Sequence, residues 1–226
     1  MKTRKSSAVK GGRLRAIEAR LGREYGQPDH HNPTDPLDDL VFVILSRMTQ
    51  EVKYTRTYAD LRRDLPTWEQ VMDAPPDELI DLLRDAGLAG TKARHLQAIL
   101  EEIEVREGRL SLDRLRGLED EEVEGYLTSL PGVARKTARC VMLYALGRDV
   151  CPVDAHVWRV MGRLGFAPCG PWSERGAKRL EDRIPRALRR SLHVTLVAHG
   201  RAVCRARGPR CEACCLRDLC PSPRNV

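Results

Sequence analysis

Aromatic residues are scarce in this chain: two Phe, three Trp and five Tyr among 226 residues. Stretches in which β-branched and polar residues alternate are scarcer still, which excludes a fold built mainly on sheets. No apolar run is long enough to cross a bilayer, so no membrane partner is expected. The first residues are basic and polar (Lys2, Arg4, Lys5, Lys10) with no apolar segment behind them, and no secretory signal is read there. Low-complexity segments are missing too. What is plentiful is Leu, Ala, Arg and Glu, the vocabulary of helices. The expectation is an all-α, soluble protein of the cytoplasm, long enough for one large domain or two modest ones.

Charge is plentiful but unevenly placed. The formal net charge is +7. Residues 101–130 hold ten acidic groups against four basic ones, whereas from Pro131 onward nineteen basic groups face seven acidic ones. A half-molecule so charged suits a polyanion, and nucleic acid is the commonest soluble one. Arginine dominates the basic set, and its planar fork matches phosphate better than lysine does.

Helical spacing and Pro/Gly punctuation predict helices over about 14–25, 37–48, 49–65, 67–74, 76–83, 91–106, 120–129, 135–146, 154–164, 173–184 and 187–203, with a short helical element at 111–118. Residues before 14 read as a frayed basic arm. One stretch stands out, Leu130-Pro131-Gly132-Val133-Ala134-Arg135-Lys136-Thr137. Pro131 ends what precedes it, and Gly132 supplies a backbone shape other residues resist. The amides after such a turn open a helix, where anions bind well. Lys136 falls in the first turn near the positive end of the helix dipole, which disfavours its charged form. Ala138, Val141, Met142 and Ala145 form the inward face, leaving Lys136 and Arg139 to face elsewhere. Asp154 reads as the cap of the following helix, the ordinary role of an aspartate there.

Cysteines concentrate in the tail, where Cys204, Cys211, Cys214 and Cys220 are spaced C-x6-C-x2-C-x5-C. Disulfides are not expected in a chain without an export signal. Four thiolates at such spacing hold either a structural zinc or an iron–sulfur cluster, and spacing alone leaves both open. Cys215 reads as a bystander, and Cys140, Cys151 and Cys169 as small buried residues. Between Cys204 and Cys211, Arg205, Arg207 and Arg210 form a loop suited to a phosphate backbone.

The hairpin at 130–138, the Val153-Asp154-Ala155-His156 segment and the cysteine tail follow one another in an order that resembles the endonuclease III type of helix-hairpin-helix DNA glycosylases. The resemblance covers roughly residues 33–220. It implies two helical domains, a helical-barrel domain at 36–148 containing the hairpin and a second built from 1–35 and 149–226. It implies a [4Fe-4S] cluster on the four tail cysteines, a catalytic lysine at Lys136 and a catalytic aspartate at Asp154, the pair lying in one cleft between the domains. DNA contacts fall on Gly132, Ala134, Arg135 and His156. Two loops fill the space a flipped nucleotide leaves, the first through Met48, where glutamine is usual, and the second through Leu88. Ala134 also departs from the family, standing where a second hairpin glycine is expected.

The expected function is therefore base excision repair: a DNA glycosylase with AP lyase activity that removes oxidised pyrimidines from double-stranded DNA. It would act as a monomer, near the nucleoid, on damaged bases or abasic sites. The alternatives are a glycosylase for a mismatched or alkylated base, and a non-catalytic iron–sulfur DNA-binding protein.

Overall fold

The computed structural model describes residues 2–222, with side chains from residue 12 onward. No strand is present among the described residues, and the chain is all-helical. The helices are α1 Lys2–Tyr25, α2 Pro36–Ser46, α3 Glu51–Asp64, α4 Trp68–Asp73, α5 Pro76–Leu82, α6 Ala89–Glu107, α7 Asp120–Ser129, α8 Arg135–Tyr144, α9 Ala155–Arg163, α10 Glu174–Arg183 and α11 Arg186–Ala202. The 111–118 element is a 3-10 turn at Asp113–Gly117. The first helix begins at Lys2, well before the expected start at 14. No proline interrupts it before Pro28, and its Lys, Arg and Ala content favours helix. The second helix stops at Ser46, and the third starts at Glu51, because residues 47–50 form a turn in which Met48 takes a positive φ of 57°.

Contacts divide the chain into two compact units, His31–Arg148 and a second made of Met1–His30 with Asp149–Val226. In the first, α2 is the core. Leu37, Leu40, Val41, Phe42, Val43, Ile44 and Leu45 are all buried, the pattern of a helix enclosed on every side. Helices α3, α6 and α8 pack around it. Asp35 caps its start, accepting from the Leu37 and Asp38 amides at 2.9 Å each. Asp38 holds the Trp68 indole N–H at 2.9 Å, fixing α4.

In the second unit α1 presents Leu14, Ile17 and Leu21 to a core with Val157, Met161, Leu192 and Leu196, and α11 packs against both α1 and α9. Two arginines of α1 fasten the chain end. Arg13 donates to the carbonyls of Leu164 (2.8 Å) and Leu219 (2.6 Å), and Arg20 forms a two-pronged pair with Asp218.

Candidate active site and nucleic-acid interface

The hairpin of the first unit is built from α7, a turn and α8. Buried Leu130 and Val133 anchor the turn, and the Val133 amide donates to the Leu130 carbonyl at 3.1 Å. Between them Gly132 takes a φ of 70°. A β-carbon there would stand 2.7 Å from His95 Nδ1, so both conformation and space demand glycine. Arg47 steadies the same turn, donating to the Gly132 carbonyl at 3.1 Å. Ala134 precedes α8 and offers it no side-chain cap, which leaves the first amides of the helix without an internal acceptor.

Lys136 is the second residue of α8 and is partly exposed. Arg135 and Arg139 do not reach out together as a free basic face. Arg135 Nε lies 2.6 Å from Glu124 Oε1, and Arg139 pairs with the other oxygen of the same carboxylate. Arg139, read as facing elsewhere than the inward side of its helix, is paired with Glu124 on α7.

Asp39 of α2, a residue sequence reasoning passed over, lies within electrostatic reach of Lys136. It is fully buried, and its Oδ1 accepts from the Asn32 amide at 2.6 Å. Its Oδ2 makes no hydrogen bond of good geometry among the described residues, with the Ala145 backbone the polar group beside the carboxyl. Burial raises its carboxyl pKa to about 7, against the opposing pull of the Asn32 hydrogen bond and the Lys136 charge. The available signal was the helix itself, since α2 is buried all round and a carboxylate past its first residues has nowhere wet to go.

The two loops expected to enter DNA are both exposed at their tips. Met48 is 90% and Leu88 61% accessible, and both are non-glycine residues at positive φ, 57° and 53°. Such backbone costs of order 1–3 kcal/mol per residue and persists where the surroundings enforce it. Lys92, also missed by sequence reasoning, lies beneath them. A lysine inside an amphipathic helix gives no local sign of burial.

In the second unit Asp154 precedes α9, and its Oδ1 accepts the Val157 amide at 2.8 Å, the cap read from the sequence. His156, the second residue of α9, is half-buried with its ring against Arg159 (3.1 Å) and Gly200. Burial lowers its pKa below the usual imidazole value. Cys204, Cys211, Cys214 and Cys220 line a single cavity together with Arg163, Val203, Pro209, Arg210, Arg217 and Ser222. Burial foremost, then repulsion from the other three sulfurs, raises the Cys214 thiol pKa. Arg163 donates to Cys204 Sγ at 3.2 Å, and His199 sits 3.5 Å from Cys214 Sγ with its pKa lowered to about 4 by burial. Arg205, Arg207 and Arg210 are exposed on the loop closed by the Arg210 amide bonding to Val203. Cys140 and Cys151 are buried as expected, but Cys169 is exposed, because it follows α9 on an open turn beside Gly170. No helix among the described residues is long and apolar enough to cross a membrane.

Comparison with known proteins identifies the family and the fold. Residues 41–186 match the HhH-GPD superfamily of base excision DNA repair proteins. Escherichia coli endonuclease III is 31% identical over 195 residues, spanning 86% of this chain and 88% of that protein. A putative DNA glycosylase of Arabidopsis thaliana is 35% identical over 165 residues, 73% of this chain, which spans 56% of that longer protein. Among solved structures, a non-covalent endonuclease III–DNA complex superposes with a TM-score of 0.81 at 27% identity, covering 94% of this chain and 96% of the other. A thermostable thymine-DNA glycosylase shares the fold at 20% identity with a TM-score of 0.79.

Proposed function

Because the chain belongs to the HhH-GPD superfamily of base excision DNA repair proteins, and so is a DNA glycosylase of base excision repair, we propose that it is bifunctional, cutting the strand as an AP lyase after it removes oxidised pyrimidines. The observation that carries the reading is a partly exposed lysine at the second position of the helix that leaves an uncapped Pro-Gly hairpin. The helix start both disfavours the ammonium and favours a nearby phosphate.

In this reading the hairpin amides hold the backbone of double-stranded DNA, and the target nucleotide leaves the stack at a cost of roughly a few kcal/mol. Departure of the damaged base builds positive charge on the sugar, which the Asp154 carboxylate stabilises. The neutral amine of Lys136 bonds to C1′ as the base leaves with the glycosidic electron pair. Opening of the sugar ring turns this adduct into an iminium, which acidifies the C2′ protons. Loss of one to a base in the site expels the 3′ phosphate by β-elimination. Water then hydrolyses the iminium and restores Lys136. Met48 and Leu88 fill the vacated stack, and Gly132, Ala134, Arg135, His156 and the Arg205–Arg207–Arg210 loop contact the strands. The protein is proposed to work as a monomer, near the nucleoid.

Four cysteines around one cavity, with three arginines (Arg163, Arg210 and Arg217) in its lining and a buried imidazole beside the sulfurs, fit a [4Fe-4S] cluster. Such a cluster, held by Cys204, Cys211, Cys214 and Cys220, would cross-link the arginine loop to α11 and supply structure at the DNA-facing end of this unit.

Borohydride trapping on a duplex with an oxidised pyrimidine tests the reading. Wild-type protein should form a covalent adduct, Lys136→Ala none, and Asp154→Asn should bind DNA while losing base release. An adduct that persists in Lys136→Ala, or none with the wild type, refutes it.

A further inference from the structure

Lys92 is a buried lysine, 3% accessible, that neither the hairpin nor the cysteine cavity uses. Its ammonium is surrounded by oxygens from two separate segments. It donates to the carbonyls of Leu45 (2.6 Å) and Arg47 (2.8 Å), to Thr49 Oγ1 (2.9 Å) and to the carbonyl of Ala86 (2.7 Å). Three N–H groups serving four acceptors means that one proton is shared. The first three acceptors bracket Met48, and the fourth lies two residues before Leu88. Thr49 completes the junction by donating its hydroxyl to the Ala86 carbonyl. Arg47, whose own carbonyl is one of the four, reaches on to the Gly132 carbonyl at 3.1 Å.

These oxygens are the loose ends of helices. Leu45 and Arg47 close α2, and Ala86 ends the 3-10 turn before Gly87. Carbonyls at helix ends lack intrahelical donors, and burying them without partners is costly. One ammonium answers all of them, and in doing so joins two turns that each hold an exposed apolar residue at positive φ. Locally, the Thr49 amide closes the Met48 turn on the Ser46 carbonyl (3.3 Å) and the Leu88 carbonyl accepts from the Thr91 and Lys92 amides (3.0 and 2.9 Å); the Lys92 ammonium adds a tie from one turn to the other.

We propose that Lys92 is a positioning residue that fastens the Met48 turn and the Leu88 turn into one preformed wedge, linked through Arg47 to the hairpin, so that both tips enter duplex DNA as a unit. This rests on the proposed function in one respect, that the tips enter the stack opened by the flipped nucleotide. Preorganisation is what the tie contributes: a tip already in its strained conformation need not be ordered at the moment of insertion.

The burial and Arg47 that lower the Lys92 pKa to about 8 leave it protonated at neutral pH, as its donor role requires.

The test is Lys92→Met, which keeps the stem and removes the donors. Amide hydrogen exchange of the free protein should rise tenfold or more across residues 46–51 and 84–90 while α8 keeps its protection. Strand cleavage at an abasic site in duplex DNA should lose tenfold or more in kcat/KM, chiefly through KM. The same site in a single-stranded oligonucleotide, which presents no stack to enter, should lose less than threefold. Equal losses on the two substrates, or unaltered exchange at both turns, overturn the proposal. A wild type inactive on both oligonucleotides defeats the proposed function instead, and the exchange measurement still decides the role of Lys92. If Lys92→Met does not fold, Thr49→Val, which removes one acceptor and the second cross-link, should show the same pattern at about threefold.

Discussion

Asp39 makes a prediction whose size follows from its surroundings. Its carboxyl has an ordinary pKa of 3.8 when the chain is unfolded and about 7 when folded. Between those values the unfolded chain releases the proton while the folded one keeps it, so the unfolded state binds fewer protons and stability falls as pH rises. The loss begins near pH 4, is complete just above pH 7 and is constant beyond. A difference of about three pKa units corresponds to about 4 kcal/mol. Asp39→Asn removes the ionisation and keeps an oxygen for the Asn32 amide, but it introduces one buried N–H group in place of Oδ2, at about 1–2 kcal/mol. The variant should therefore be more stable than wild type at pH 8 by about 2–3 kcal/mol, and less stable by no more than about 1 kcal/mol at pH 4.5, where the wild type has already lost about 1 kcal/mol. Chemical denaturation of both proteins at the two pH values measures this as a difference between curves. A variant-to-wild-type difference that does not change between pH 4.5 and 8 would refute the assignment of a buried, proton-holding carboxyl.

Gly132→Ala would place a methyl 2.7 Å from His95 Nδ1 at a φ of 70°. It should cost about 2–4 kcal/mol of stability and weaken DNA binding. Thermal melting of this variant and of the double variant with His95→Ala checks it: relief of part of the loss in the double variant identifies the clash, and no relief leaves only the backbone conformation. Cys214→Ser should yield protein without the absorbance near ~400 nm expected of an iron–sulfur cluster, with an arginine loop that protease cuts faster. Undiminished absorbance from the variant would place the cluster elsewhere.

Much of the fold could be read from punctuation. Pro36, Pro66, Pro76, Pro131 and Gly147 bound helices where expected, and Asp154 caps α9 as its position implied. The hairpin was visible because its determinants are local: a proline, a glycine and the helix behind them. Lys92 and Asp39 were not, because their meaning lies in what surrounds them. Lys92 sits one place from Ala93 and four from Leu96 on α6, an unremarkable snorkelling position until the open ends of α2 and the 84–86 turn are brought over it. Asp38 and Asp39 look like a matched acidic pair at a helix start. Only tertiary packing decides that Asp38 takes the indole of Trp68 on α4 while Asp39 is sealed in. The helix face of Arg139 was read as not inward, but its partner was not legible, because Glu124 lies on the neighbouring helix.

The cap on α9 has a consequence in the cell. Asparagine caps a helix as well as aspartate does, so Asp154→Asn keeps the Val157 bond and gives up only the negative charge. On the proposed mechanism such a protein is synthesised, folds and persists, and still settles on damaged DNA that it does not process. It would not behave as a missing enzyme. It would occupy lesions and keep working copies away from them, so that one altered oxygen turns a repair protein into an obstruction.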